Sequence, residues 1–511
     1  MPAARQIMLS HGPTMAQARA DQTLLSCLER YASERPDCLF LIGPCNEQAT
    51  YGGFWAAAGT AATAMLAQGV KAGERVVTIC ENSIELFVVI VAAWRIGATL
   101  VPLNPGLGSD LLGEMIATAE PTLLVVDGGS TKIASAIEIA DLLKLDGRPN
   151  PPASPPGPGT DALIIFSSGT TGKSKGCVLS HGYLAFFGRE FSAMAELDED
   201  DRVFCVTAMY HVNAFWAFAG SVVNGTPHAF EKRFSASIFW QRSSEVEATV
   251  FDYVGAILAI LLRSAGERTS GNRLRACLGG GVRTEDLAQF EKRFHCKVLE
   301  GYGLTECCQP IYQTERDRKH GSVGRTSIYF DARVVDEHDR DVSPGTPGQL
   351  LLRSRTPHGL FRRYWRDPEQ TKAAFKGKWF ATRDLVTRDT DGYFYFIERL
   401  GHVVRRRGEN VSCFQVEGVF ASHPMVQLAA AVGVPADLGD EEILLAVELV
   451  DGATMTPKEL HSWGIEKLPK FMHPRYVRIG TLPRTASQRV ERHRVKSIGL
   501  TADTYDSGTI G

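Results

Sequence analysis

Short apolar runs alternate with longer apolar segments of helical period through the first two-thirds of the chain. The pattern predicts strands over Arg75–Cys80, Ala98–Leu103 and Leu123–Asp127, and an apolar helix over Ile84–Ile96. Alternation of strand, helix and strand is typical of α/β layers built on mainly parallel sheets. A fold of that class is therefore expected for the N-terminal part.

The pattern changes near residue 330. Short β-like pieces, Ala332–Val335 and Gln349–Leu352, are separated by Pro-Gly and Asp-Gly turns, which predicts a small antiparallel subdomain. Residues 400 to 500 again alternate strands and helices. A chain of 511 residues exceeds one hydrophobic core. We expect a large multi-layer N-terminal domain over 1–399 and a small α+β C-terminal domain over 400–511.

Composition narrows the class of protein and its partners. The net charge of -3 gives no reason to expect nucleic acid, and no run approaches the roughly 20 apolar residues of a membrane span. The first twenty residues lack the apolar core of a secretory signal. Eleven cysteines, mostly single within apolar runs, indicate reduced thiols in the cytoplasm, with neither zinc nor a disulfide framework.

The stretch Ala162–Gly176 carries the strongest chemical signal. A strand-like apolar run is followed by ten residues made only of Ser, Thr, Gly and Lys, whose hydroxyls, amides and ammonium groups suit a polyphosphate. Gly172-Lys173-Ser174 matches the second half of a Walker A loop, but Ser167 stands where the first Gly belongs. A different phosphate loop is therefore predicted, with a flexible surface linker as the alternative.

Two further clusters suit a nucleotide. In Glu300–Glu306, glycines flank Tyr302, while Thr305 and Glu306 offer hard oxygen donors for Mg²⁺; a strand-ending turn without a ligand is the alternative. In Trp379–Asp384, an Asp that follows a strand is placed to bind ribose hydroxyls. A solvated loop carboxylate is the alternative there.

These clusters, in this order, resemble the adenylate-forming superfamily of acyl-CoA synthetases, luciferases and nonribosomal peptide synthetase adenylation domains. The resemblance covers about Thr23 to Lys496 and includes Tyr210–Ala214, Gly279–Gly281 and Arg407–Ser412. Residues between Phe230 and Ile257 most resemble the branch of the carnitine/crotonobetaine-CoA ligases.

The resemblance implies roles for single residues. Binding of the β- and γ-phosphates of ATP falls to Ser167, Ser168, Gly169, Thr170, Thr171, Gly172 and Lys173. Stacking on adenine falls to Tyr302, and the same pocket is lined by Gly279, Gly280, Gly281 and Gly303.

The remaining roles concern the metal, the ribose and the acid. Thr305 is expected at the phosphate, Glu306 and Thr170 at magnesium, and Asp384 with Arg399 at the ribose. His211 is expected beside the substrate carboxylate, with a core histidine as the alternative.

The activity that the resemblance implies is ATP-dependent activation of an acid through an acyl-adenylate, with release of AMP and pyrophosphate. The leading hypothesis is an acid:CoA ligase that uses ATP, Mg²⁺ and CoA. The runner-up passes the activated acid to an amine without CoA, as an amide-bond synthetase does, or is diazotase-like with nitrite and an aryl amine. A non-catalytic nucleotide-binding protein is the third hypothesis.

In this superfamily the small C-terminal domain is mobile and rotates between the two half-reactions, about a hinge that would fall near Leu400. Three positions depart from the family pattern. Arg489 replaces the catalytic Lys, and its planar guanidinium differs from an ammonium even though it keeps the charge; the alternative is that Arg489 simply performs the catalytic role of the Lys. Gly401 occupies the hinge, and Arg383 stands where Gly is usual. These departures suggest a specialised acid or acceptor, as in secondary metabolism; the partners are small molecules, and a homodimer is one assembly we consider.

Overall fold

The computed structural model describes residues 22–107, 109–128, 133, 135–145, 155–168, 174–282, 284–399, 403–406, 409–435, 441–468, 470–484 and 490–508. The described chain divides into two compact units. The first contains the described parts of Met1–Ser167, Lys175–Asp331 and Arg353–Ala373. The second contains those of Ser168–Ser174, Ala332–Leu352 and Ala374–Gly511.

The helices are α1 (Leu24–Glu34), α2 (Tyr51–Ala67), α3 (Ile84–Arg95), α4 (Ser109–Ala119), α5 (Ile139–Leu142), α6 (His181–Ala195), α7 (Val212–Asn224), α8 (Phe239–Glu245), α9 (Gly255–Arg263), α10 (Thr284–Phe294), α11 (Pro368–Ala373), α12 (Cys413–Ala421), α13 (Pro457–Ile465) and α14 (Arg492–Ile498). The strands are β1 (Leu39–Ile42), β2 (Gln48–Thr50), β3 (Arg75–Ile79), β4 (Thr99–Pro102), β5 (Leu123–Val126), β6 (Ile137–Glu138), β7 (Asp161–Ser168), β8 (Ser174–Ser180), β9 (Val203–Cys205), β10 (His228–Phe230), β11 (Val250–Val254), β12 (Ala276–Gly280), β13 (Lys297–Leu304), β14 (Cys308–Tyr312), β15 (Arg325–Thr326), β16 (Phe330–Val335), β17 (Gly348–Ser354), β18 (Arg363–Tyr364), β19 (Phe375–Lys376), β20 (Trp379–Arg388), β21 (Phe394–Arg399), β22 (Val403–Arg406), β23 (Glu409–Ser412), β24 (Val426–Pro435), β25 (Glu441–Leu449), β26 (Tyr476–Ile479) and β27 (Tyr505–Asp506).

The first unit is built on two sheets. One has the strand order β18-β8-β7-β4-β3-β5-β6, and the other has the order β15-β14-β13-β12-β11-β9-β10-β1-β2. Strands β3, β4, β5 and β7 pair in parallel in the first sheet, as do β9 to β13 in the second. Mainly parallel sheets covered by helices confirm the predicted α/β class.

The predicted elements appear within one or two residues of their expected ends, and α3 shows why. The Ser83 hydroxyl accepts a hydrogen bond from the Leu86 amide at 3.1 Å and caps the helix. Every residue from Leu86 to Arg95 is buried. A helix that is apolar on all sides belongs between layers rather than at the surface, so this run could only be a core helix.

The described part of the second unit contains three separate β structures and their helices, the smallest being the antiparallel pair β22–β23. Strands β16, β17, β20, β19 and β21 form a sheet whose pairs β17–β20, β19–β20 and β20–β21 are antiparallel, as predicted for the subdomain. Strands β24 to β27 form a mixed sheet. One apolar cluster there joins residues such as Val416, Phe420 and Leu445, which covers one face of the sheet with α12.

Three expectations concern the domain boundary, the cysteines and membrane spans. The boundary predicted at residue 400 lies within the second unit, and because residues 400–402 are not described it stays a prediction. All eleven cysteines lie among the described residues, and each is a free thiol. No described helix has both the length and the apolar composition needed to cross a membrane.

Candidate active site

The predicted phosphate loop lies between two adjacent strands of the first sheet. Strand β7 continues through Ser167 and Ser168, and β8 begins at Ser174, so both ends of the polar run belong to strands. Gly169, Thr170, Thr171, Gly172 and Lys173 lie outside the described residues, as does Arg489. Their roles, and those of the Ser167 and Ser168 side chains, remain predictions.

Lys175 follows the predicted loop directly in sequence and was given no role by the sequence analysis. Its ammonium lies 5.2 Å from the centre of the Tyr364 ring, a distance suited to a cation–π contact. The Tyr364 hydroxyl donates a hydrogen bond to Glu306 Oε1 at 2.8 Å. Two groups suited to a magnesium polyphosphate, an ammonium and a carboxylate, thus flank one aromatic ring.

The segment Tyr302–Glu306 closes the end of β13 and turns into β14. Tyr183 holds the turn with one hydroxyl, which donates to the Thr305 carbonyl at 2.7 Å and accepts from the Cys308 amide at 2.6 Å. The Tyr302 side chain is only 6% exposed, and Glu306 is 8% exposed. A buried carboxylate at a fixed turn is a costly arrangement that a bound cation would offset.

The glycines at the end of β12 are required by the packing of neighbouring strands. A Cβ atom on Gly279 would lie 2.1 Å from the Tyr253 carbonyl oxygen, and one on Gly280 would lie 2.6 Å from that of Gly301. Any side chain would force the strands apart. Strand packing alone therefore requires glycine at these two positions. The adenine-pocket role implied for them stays a prediction.

Glu300 fixes the chain that follows these glycines. Its Oε1 accepts a hydrogen bond from the Val282 amide at 3.1 Å, and the side chain is buried. Burial raises the pKa of Glu300 to about 7, although the amides of Val282 and Gly281 act in the opposite direction. The sequence motif that contained Glu300 gave no hint of this bond.

His211 lies at the N-terminus of α7, at the end of a loop that follows β9. Its ring lies 4.6 Å from that of Tyr210, and the side chain is partly exposed, so it is not a core histidine. The loop is clamped by Asp252, whose carboxylate accepts from the Val206 amide at 2.9 Å and from the Thr207 hydroxyl.

A second clamp on the same loop comes from a different part of the chain. The buried Asn82 side chain donates to the Thr207 carbonyl at 3.0 Å and accepts from the Met209 amide at 2.8 Å. Asn82 belongs to no motif, and Asp252 lies in the segment Phe230–Ile257 without having been given a role. Their importance follows from the contacts that they make with a loop distant in sequence.

Asp384 and Arg399 lie in the second unit, directly opposite each other on β20 and β21. The Arg399 Nε lies 3.6 Å from Asp384 Oδ1, and Asp384 is 2% exposed. Asp384 is therefore a buried strand residue and not a solvated loop carboxylate. Its ribose-binding role stays a prediction.

Arg383, the residue before it, has a φ angle of +61°. The register of β20 with β17 shifts at this place, which marks a bulge. A positive φ favours glycine, so the structure explains why the family pattern has Gly here. Arg383 is exposed, and its conformation carries backbone strain.

Comparison with known proteins settles the family. The model of the AMP-binding enzymes matches residues 28–365, more than half of the chain, and the model of the C-terminal domain of AMP-binding enzymes matches residues 415–489. The chain belongs to the AMP-binding enzyme family. The resemblance identified from its motifs is thereby confirmed.

Similar proteins of known activity are CoA ligases. The crotonobetaine/carnitine–CoA ligase of Escherichia coli O157:H7 is 28% identical over 462 residues, which covers 84% of this chain and 89% of the relative. The sulfoacetate–CoA ligase of Cupriavidus necator is 29% identical over 495 residues and covers 92% and 96%. Relatives of the branch expected from Phe230–Ile257 are thus among the matches.

Solved structures confirm the fold of this AMP-binding enzyme. The o-succinylbenzoate CoA synthetase of Bacillus subtilis, solved with an acyl-adenylate intermediate, superposes with a TM-score of 0.85 at 23% identity. The alignment covers 93% of this chain and 98% of that one. The same synthetase has been solved with ATP and a magnesium ion.

Proposed function

We propose that the chain is an ATP-dependent acid:CoA ligase of the AMP-forming type. The observation that carries the proposal is the arrangement of Lys175, Tyr364 and Glu306 in the first unit, where an ammonium and a buried carboxylate flank one ring beside the strand that follows the predicted phosphate loop. The family match and the CoA-ligase relatives support the same activity.

The proposed reaction has two steps. A carboxylate oxygen of the acid attacks the α-phosphorus of ATP, the bond to the bridging oxygen of the β-phosphate breaks, and pyrophosphate leaves. The CoA thiolate then attacks the acyl carbon, and the carbon–oxygen bond to AMP breaks. Activation is needed because a carboxylate is a poor electrophile with a poor leaving group.

The residues present fit ATP and magnesium. Glu306 supplies a carboxylate oxygen of the kind that Mg²⁺ prefers, and Lys175 supplies a cation for phosphate. Magnesium, when bound, offsets the repulsion between the two anions. The loops around the site are held in place by hydrogen bonds between their backbone and four side chains, those of Tyr183, Asn82, Asp252 and Glu300.

A screen of acids tests the proposal. Purified protein is mixed with ATP, Mg²⁺ and single aliphatic, aromatic or amino acids, with and without CoA, and pyrophosphate and products are followed by enzyme-coupled assay and mass spectrometry. We expect pyrophosphate release that depends on one class of acid and an acyl-CoA product. Turnover in the absence of CoA, with an amine or with nitrite and an aryl amine, would show that the acceptor is an amine and not CoA.

We also propose that the enzyme acts in the cytoplasm. Its eleven free thiols agree with a reducing compartment. Assembly into a homodimer stays a prediction, which size-exclusion chromatography with light scattering would test.

A further inference from the structure

One side-chain hydrogen bond joins the turn after β13 to β18. The Tyr364 hydroxyl donates to Glu306 Oε1 at 2.8 Å, and both side chains are 8% exposed. The two residues are 58 positions apart in the chain. A phenol that donates to a buried carboxylate makes a strong, charge-assisted bond, so it fixes how the carboxylate is turned.

Tyr364 is itself held in place by backbone pairing. It pairs with Cys177 in the antiparallel register of β18 and β8. The Trp365 amide donates to the Gly176 carbonyl at 2.7 Å, and the Tyr364 amide donates to the Thr371 hydroxyl at 2.9 Å. The phenol therefore projects from a rigid strand whose position is tied to β8, the strand that carries Lys175.

The backbone of Glu306 is also tied to this segment. Its carbonyl accepts a hydrogen bond from the Phe361 amide at 2.7 Å, and the Phe361 and Tyr364 rings are in contact at 4.8 Å. Both the main chain and the side chain of Glu306 are thus set by residues 361–364. One carboxylate oxygen of Glu306 accepts the hydrogen bond from Tyr364, so the direction of the other oxygen is fixed as well.

We propose that Tyr364 is a positioning residue for magnesium binding, which orients Glu306 toward the metal of the ATP complex and at the same time holds Lys175 against its ring. The inference rests on the proposed function. Groups that orient a metal ligand through a hydrogen bond typically change metal affinity by about 10- to 100-fold when removed. Tyr364 touches neither metal nor nucleotide in this account and acts through Glu306.

Tyr364→Phe isolates the hydroxyl, because phenylalanine keeps the ring that lies against Lys175. The matched control is Tyr395→Phe. The Tyr395 hydroxyl makes the same kind of bond, to Asp389 Oδ2 at 2.9 Å, but between two residues of the second unit. Both variants lose one phenol-to-carboxylate hydrogen bond, so a general effect of that loss would appear in both.

The readout is binding of Mn²⁺ in the presence of ATP, followed by electron paramagnetic resonance, together with ATP binding without metal by calorimetry. For Tyr364→Phe we expect about tenfold weaker protein-dependent Mn²⁺ binding, unchanged metal-free ATP binding and a tenfold higher Mg²⁺ requirement for pyrophosphate release. Tyr395→Phe should match wild type in all three.

Unchanged Mn²⁺ binding in a folded Tyr364→Phe variant would overturn the inference, and so would an equal loss in both variants. If Tyr364→Phe melts too early to measure, p-aminophenylalanine at position 364 keeps the ring and a donor, and wild-type Mn²⁺ affinity is then expected. A loss there would also overturn it. A wild-type protein that binds Mn²⁺ with ATP but activates no acid would count against the proposed function alone.

Discussion

The backbone at Arg383 shows how one residue departs from the conformation that its side chain prefers. A φ of +61° in a bulge of β20 is a left-handed conformation, which costs a non-glycine residue on the order of 1 kcal/mol. The side chain is exposed, so no packing requires an arginine there. The structure thus separates a backbone demand for glycine from any chemical role of the guanidinium.

We expect Arg383→Gly to leave the free energy of unfolding unchanged or to raise it by up to ~1 kcal/mol, because relief of strain offsets the greater entropy of the unfolded chain. Arg388→Gly in the same strand, where φ is not positive, should lower it by roughly 1 kcal/mol. Urea unfolding of both variants measures the difference. Equal losses in the two would show that residue 383 is not strained.

Glu190 is a second residue whose setting has a measurable cost. It is fully buried on α6, and burial raises its pKa to about 8, against the opposing influence of Ser327 and Arg189. Since the unfolded chain releases this proton near pH 4.5, stability is highest below that pH and falls as the pH rises toward 8.

Glu190→Gln removes the ionisable group and keeps its shape. The free energy of unfolding of the variant, relative to wild type, should rise by up to ~4 kcal/mol between pH 5 and pH 8. The reason is that over this range only wild type loses stability, because its folded state retains a proton that its unfolded state releases. Urea unfolding at both pH values measures it. A difference between the two proteins that is the same at pH 5 and pH 8 would refute the assignment.

At the scale of elements, the sheets place loops, and side chains from other parts of the chain fix them. The loop after β9 carries Tyr210 and His211, and it is held by Asp252 on β11 and by Asn82, which precedes α3. Both clamps use buried polar groups, which cost free energy unless their partners stay in place. The loop should therefore be rigid before the acid binds.

We predict that Asp252→Asn raises the KM for the acid about tenfold while the KM for ATP changes less than twofold, because the amide turns an N–H toward a donor and displaces the loop. The control is Asp201→Asn. Asp201 is also buried, but it precedes β9 and accepts from Thr249 and Arg275, which directly precede β11 and β12.

Asp201→Asn should lower the melting temperature without changing the ratio of the two KM values. Steady-state kinetics with each substrate varied in turn makes the comparison. Proportional changes in both KM values for Asp252→Asn would mean that the clamp serves the whole site and not the acid pocket.

Local sequence patterns predict helices and strands but not the bonds between distant positions. Strand β3 and helix α3 follow from local apolar periodicity, so the sequence predicted both nearly to the residue. The Asn82–Thr207 bond joins positions 125 apart, and the Tyr364–Glu306 bond joins positions 58 apart. No local pattern encodes such pairs, which is why motif reasoning named Glu306 and His211 but missed the residues that hold them.

For the whole molecule, the two family models leave a gap between residues 365 and 415. The gap includes β20 and β21, with Asp384 and Arg399, and the predicted hinge near residue 400. The described chain groups this segment with the C-terminal sheet. The hinge at Gly401 and the catalytic role of Arg489 stay predictions, because both residues lie outside the described ones.

The central claim is that the acid attacks the α-phosphorus of ATP. The direct test uses an accepted acid labelled with ¹⁸O in its carboxylate, together with ATP, Mg²⁺ and CoA, and mass spectrometry of the nucleotide product. Because the carbon–oxygen bond to AMP breaks in the second step, one ¹⁸O atom should appear in AMP for each acyl-CoA formed. Unlabelled AMP, or label in ADP or inorganic phosphate, would contradict the account.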